Sequence, residues 1–117
     1  MHEWPSDIDV KRVFLGKEIE MICFAYSSVY LHFPEKLLLS VMSNFIYYSA
    51  GITEKTSFPI RETHLISSIG SRIIKAELIE EKDLHLWFED GAKLEVNGST
   101  EGYECYSINF NGREFYV

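Results

Sequence analysis

Apolar and polar residues alternate most strictly in residues 84–96. There Leu84, Leu86 and Phe88 are separated by His85 and Trp87, and Ala92, Leu94 and Val96 by Lys93 and Glu95. Alternation with a period of two marks a strand with one buried face. Between the two runs, Glu89-Asp90-Gly91 reads as a hairpin turn whose length follows from side-chain parity. A two-residue loop at Asp90-Gly91 would set Leu86 opposite Glu95 and Phe88 opposite Lys93, burying charge. A three-residue loop instead pairs Phe88 with Ala92, Leu86 with Leu94 and Leu84 with Val96. Gly91 then takes the left-handed position that closes a type I turn. His85 faces Glu95, and Trp87 faces Lys93, on the other surface.

The same pattern occurs once before. Val29, Leu31 and Phe33 lead into Pro34-Glu35-Lys36 and on to Leu37, Leu39 and Val41, with Lys36 in the place of Gly91. Leu15-Gly16 matches Ile69-Gly70, Ile19 matches Ile73, and Ile22 and Phe24 match Ala76 and Leu78, so the correspondence extends upstream. At the start of the first copy, residues 6–15 predict a short helix. Ser6 and Asp9 make a capping box, Val10, Val13 and Phe14 recur at helical spacing, and Gly16 ends it. Residues 18–25 read as a strand followed by a turn at Tyr26-Ser27. Residues 44–48 and 103–110 predict a further strand after each copy. Residues 49–59 are polar and read as an exposed loop. Phe58 and Ile60 then lead to a short helical piece with Leu65 and Ile66, closed by Gly70. Asn111-Gly112 signals a terminal hairpin pairing Ile108 with Phe115 and Tyr106 with Val117.

These elements predict one mainly β domain over residues 1–117. It contains two copies of a short helix plus antiparallel β-meander, residues 6–48 and 60–110, forming a small sandwich or open barrel with a C-terminal β-hairpin over residues 103–117. A chain of 117 residues, 46% hydrophobic, is long enough for one core without staples. No apolar run reaches bilayer length, and the start Met1-His2-Glu3-Trp4-Pro5 lacks the features of a signal peptide. The expectation is a cytoplasmic protein without membrane association. Cys23 and Cys105 lack metal-ligand spacing and read as reduced thiols, at least one of them packed as a small hydrophobe, with a disulfide between them allowed but not implied.

Charge narrows the partners. Of the formal −7, most lies in the second half: from Glu62 onward there are eleven acidic and five basic residues. Such a field repels phosphate backbones and attracts basic proteins, which argues against direct nucleic-acid contact. Chemistry is harder to find. His2, His32, His64 and His85 show no paired metal spacing, and each glycine stands alone at a turn, so no phosphate loop forms. The carboxylate pairs Glu80-Glu81 and Glu89-Asp90 sit in predicted turns. We read a non-enzyme that needs no cofactor and no metal.

Leu15-Gly16-Lys17-Glu18-Ile19, the turn motif Phe88-Glu89-Asp90-Gly91, and the ending Gly102-Tyr103-Glu104-Cys105-Tyr106-Ser107-Ile108 with Arg113-Glu114-Phe115-Tyr116-Val117 resemble a group of small bacterial proteins. They share this duplicated layout and are similar to the immunity proteins of contact-dependent growth inhibition and other polymorphic toxin systems. The resemblance implies a protein that binds and blocks one cognate toxin, often a basic nuclease. It transfers no binding residues, because those positions differ between members. Parity supplies candidates: Tyr30, His32, His85 and Trp87 face outward in equivalent places, beside Glu80, Glu81, Asp83, Glu89 and Asp90. Aromatic anchors with steering acids have the makeup of a binding surface. The alternative is a homo-oligomeric interaction module, with a homodimer seam at Trp87.

Overall fold

Ser6 and Asp9 close the predicted capping box. The Ser6 hydroxyl accepts the Asp9 N–H at 3.3 Å, and the Asp9 carboxylate accepts the Ser6 N–H at 3.1 Å. They start helix α1, Asp7–Phe14, which buries Val10, Val13 and Phe14. Gly16 follows with φ +81°, a conformation that a side chain would strain. The computed structural model describes residues 6–98 and 105–116.

Ten strands follow α1. They are β1 (Met21–Phe24), β2 (Val29–Phe33), β3 (Leu37–Val41), β4 (Phe45–Ser49), β5 (Ile52–Thr56), β6 (Ile73–Ile79), β7 (Asp83–Phe88), β8 (Lys93–Val96), β9 (Tyr106–Phe110) and β10 (Arg113–Tyr116). They form two five-stranded antiparallel sheets, ordered β1-β2-β3-β9-β10 and β5-β4-β8-β7-β6. A 3-10 helix, His64–Ser68, precedes β6.

Parity sets which side chains are buried. In β7 and β8, Leu84 stands opposite Val96 and Leu86 opposite Leu94, with Phe88 N–H donating to the Ala92 carbonyl. In β2 and β3, Val29, Leu31 and Phe33 oppose Val41, Leu39 and Leu37. These residues join Phe45, Tyr47, Tyr106 and Ile108 in one hydrophobic cluster fed by both sheets. Leu31 and Leu86 are fully buried, each contributing about 2 kcal/mol relative to exposure. Because both sheets turn their buried faces to one core, their outer faces point away from each other.

The two sheet orders coincide when each strand number of the first half is advanced by five. Hence β4 lies beside β8, not β3, with β5 outside it, while β9 lies beside β3 with β10 outside it. The registers agree as well. Phe45 and Tyr47 oppose Val96 and Leu94, as Tyr106 and Ile108 oppose Val41 and Leu39. Where the sheets meet, Gly16 N–H donates to the Ile73 carbonyl at 2.9 Å and Gly70 N–H to the Ile19 carbonyl at 2.8 Å, around a bridge of Glu18 with Arg72.

Three sequence expectations change. Residues 49–59 are not all loop: Ala50 (φ +43°) and Gly51 (φ +82°) make a tight turn, and Ile52–Thr56 pairs along β4 as an edge strand. Its polar composition suits an edge with little to bury, which is why it lacks an apolar signal. Ile66 is exposed, so Leu65 alone of that pair joins the core. The turn before β3 holds both Glu35 and Lys36 left-handed, whereas its counterpart before β8 uses Gly91. At the C-terminal end Ile108 opposes Phe115, while the expected partners Tyr103, Glu104 and Val117 lie outside the described residues. Cys23 and Cys105 are not joined by a disulfide.

Candidate partner-binding surface

The outer face of the second sheet is built by cross-strand neighbours of β7. Trp87 stands opposite Lys75 on β6 and Lys93 on β8. Both ammonium groups sit over its ring, at 4.6 Å and 4.7 Å from the centroid. Cations so placed are attracted by the ring's negative face. Lys93 also lies 5.6 Å from the Tyr48 ring on β4 and bonds Glu95 at 2.8 Å, while the Tyr48 hydroxyl donates to the other Glu95 oxygen at 3.1 Å. Lys75 pairs with Glu77 at 3.0 Å. His85 meets Trp87 edge to face, with ring centroids 5.8 Å apart.

Electrostatics make this patch neutral at its centre. Burial would raise the Glu95 carboxyl, but hydrogen bonding and charge from Lys93 prevail and hold it below its usual range. Burial, with Lys93 adding to it, pushes the His85 imidazole below its usual value. His85 is therefore uncharged at neutral pH, and its 4.0 Å approach to Glu95 is no ion pair there. Burial and the Glu95 carboxylate raise the Tyr48 phenol. Lys75 with Glu77 and Lys93 with Glu95 balance each other.

The nine residues expected at the surface do not form one strip. Tyr30 and His32 lie on β2, on the outer face of the first sheet, where Ser28 donates to the Tyr30 hydroxyl at 2.9 Å. They face away from His85 and Trp87, because β2 and β7 belong to different sheets whose outer faces are opposed. The other seven follow β7 and its flanking turns. Glu80 and Glu81 are exposed at one end, both left-handed. Asp83 is half-buried and accepts the Gly98 N–H at 2.9 Å. Glu89 is exposed at the far end.

Asp90 has internal duties. Its carboxylate accepts the Ala92 N–H at 2.9 Å and the Ser68 hydroxyl at 3.1 Å, and its own N–H donates to the Ser71 hydroxyl at 3.2 Å. Ser68 in turn bonds the buried Tyr47 hydroxyl at 2.6 Å. This chain pins the 3-10 helix to the β7–β8 turn, so Asp90 is a structural acid.

Sequence reasoning missed Lys75, Glu77 and Tyr48 as members of the surface. Lys93 and Glu95 were within reach through hairpin parity, but the others depend on which strands flank the hairpin. Elsewhere, Glu54 on β5 holds the His64 ring nitrogen Nδ1 at 2.6 Å and the Thr63 hydroxyl at 2.7 Å. Burial raises this carboxyl, yet the His64 and Thr63 hydrogen bonds outweigh it and the net direction is down. Among the described residues, no group of three or more His, Cys, Asp or Glu side chains is placed to hold a metal ion, and no helix is long and apolar enough to cross a membrane.

No protein-family profile, curated protein or solved structure matches the chain.

Proposed function

We propose that this chain is a non-catalytic immunity protein that neutralises a cognate bacterial toxin by covering it. A basic nuclease is the partner class that its charge fits, and the cytoplasm its place of action. The observation that carries this reading is the surface along β7. A half-buried, charge-balanced centre of Trp87, Tyr48 and His85 is bounded by exposed acids, Glu80 and Glu81 at one end and Glu89 at the other, in a chain of net charge −7. A neutral aromatic centre can be desolvated at low cost, and peripheral acids steer a cationic partner and speed encounter. The same acids disfavour nucleic acid as a direct ligand.

The test is co-expression with the product of the gene directly preceding this one. Co-purification and relief of toxicity support the reading. Trp87→Ala with Glu80→Lys and Glu81→Lys should weaken the complex at least tenfold while thermal unfolding stays cooperative. A toxin that binds this triple variant as tightly as the parent removes the β7 surface from consideration. Asp90 is left intact, because its loss would unpin the 3-10 helix. A homo-oligomeric module is the second reading, and the edge of β1, uncovered among the described residues, favours it.

The finer architecture belongs with this proposal. We read the chain as one unit made twice, each a helical piece and five strands, with the fourth and fifth strands of each copy exchanged into the other's sheet. The coincident strand orders, the matched registers and the reciprocal Gly16 and Gly70 hydrogen bonds support it. On that reading each copy extends past residues 48 and 110 to include β5 and β10.

A further inference from the structure

We propose that β1 is the seam of a homodimer, in which two copies of this chain pair edge to edge, antiparallel, about a two-fold axis at Cys23. The proposal is independent of toxin binding, since β1 lies in the other sheet from β7.

Four sheet edges exist among the described strands, and only one is both uncovered and uncharged. Edge strand β6 is shielded by α1, whose Asp7 carboxylate accepts the Leu78 N–H at 2.9 Å. Edges β5 and β10 carry Glu54 and Lys55, and Arg113 and Glu114. Charges on an edge are the usual guard against pairing with another chain. Strand β1 reads Met21-Ile22-Cys23-Phe24, followed by Ala25 and Tyr26, with no charge in six residues of a chain whose net charge is −7. Met21 is 49% exposed, Phe24 42% and Tyr26 81%.

The backbone specifies what fits there. Ala25 N–H donates to the Ser28 carbonyl, and Cys23 opposes Tyr30 on β2. Antiparallel alternation then turns the amide and carbonyl of Ile22 and Phe24 outward. Phe24 opposes Val29 as Leu78 opposes Leu84, so its N–H is the counterpart of the one that Asp7 caps. No hydrogen bond from another described element reaches this side of β1. The 3-10 helix does not cover it: Ser68 ties that helix to Tyr47 on β4, and Glu54 on β5 ties its start at Thr63 and His64. Outward amides and carbonyls in a row form a template on which another strand can pair.

Among strands, a second copy of β1 meets the charge requirement. Two acidic chains can approach along residues 21–26, where neither carries an acid and exposed Glu20 lies just outside, and an antiparallel self-pair closes on its own two-fold. The register follows, because facing residues must share a side of the sheet and the outward groups must bond. Ile22 pairs with the partner's Phe24, and Cys23 meets the partner's Cys23 at a non-hydrogen-bonded site. Cα atoms there stand about 4.5 Å apart, inside the roughly 4.4–6.8 Å span that a disulfide bridges.

Sedimentation equilibrium on the full chain under reducing conditions tests this. The expected result is a dimer that dissociates on dilution. Diamide, which takes up the two thiol protons and two electrons, should trap the dimer as a Cys23–Cys23 disulfide, and Cys23→Ser should sediment as a dimer yet resist trapping. Phe24→Pro removes an outward N–H and leaves the β2 ladder whole, and Cys23→Lys puts two ammonium groups on the axis; both should be monomers. A wild-type monomer at every concentration overturns the proposal, whatever the variants do. So does a dimer that survives both substitutions, or one that dissociates on Trp87→Ala instead.

Discussion

At the scale of single residues, the turns and the buried polar groups carry the sharpest consequences. Lys36 is held at φ +59° in the turn whose counterpart uses Gly91. A side chain in that region costs on the order of 1 kcal/mol, so Lys36→Gly should raise stability by about that amount, read as a higher denaturation midpoint with unchanged slope. The Thr56 hydroxyl is buried and has no hydrogen-bond partner among the described residues. Thr56→Val keeps the branched shape a strand favours and removes the unpaired group, a gain of roughly 1 kcal/mol. A midpoint that falls in either variant would contradict the local geometry. Lys36 was legible as the odd residue in a repeated turn. Thr56 was not, because nothing in a run of polar residues says which of them will be enclosed. Asp90 shows a related gap: read in sequence it is a turn acid like Glu89, and only its hydrogen bonds with Ser68 and Ser71 make it structural.

At the scale of elements, each piece does two jobs. Helix α1 buries Val10, Val13 and Phe14, and its first turn also guards the edge of β6 through Asp7. Hydrogen bonding to Lys11, then to the Leu78 N–H, holds the Asp7 carboxyl below its usual range. Removing the cap with Ser6→Ala should cost about 1 kcal/mol. It should also speed amide exchange at Leu78 beyond what global destabilisation explains, since fraying α1 uncovers that N–H; equal acceleration at all slow amides would sever the link. Hairpin β7–β8 was legible in full register because its alternation and its turn agree. Strand β5 was hidden because an edge needs no apolar face, and Ala50-Gly51 is a weaker turn signal than Asn111-Gly112.

At the scale of the whole molecule, β4 and β5 from the first half of the chain complete the sheet of β6, β7 and β8, and β9 and β10 from the second half complete the sheet of β1, β2 and β3, so neither half holds a whole sheet. Unfolding should therefore be a single transition, with tryptophan fluorescence and far-ultraviolet dichroism coincident; two separated transitions would count against the interlocking. Acid should weaken the fold with a defined sign. His85 titrates below its unfolded value of 6.5, so its contribution is complete above that pH and is lost as pH falls through the folded value. Glu54 and Glu95 are lowered from 4.5, so theirs are complete above 4.5 and are lost as pH falls through their folded values. The stability advantage of the parent over His85→Gln should accordingly shrink on going from pH 7.5 to pH 5; a constant or growing gap would refute the burial of a neutral imidazole. Alternation, capping and turn chemistry are local, so the chain by itself determined most strands, their buried faces and the hairpin registers. Which strands became neighbours was decided only in three dimensions, because the inner faces of β4 and β9 suit either sheet equally and their placement depends on contacts distant in sequence. That assembly separated Tyr30 and His32 from Trp87, brought Lys75 and Tyr48 to its ring and neighbourhood, and left β1 without a cover among the described residues.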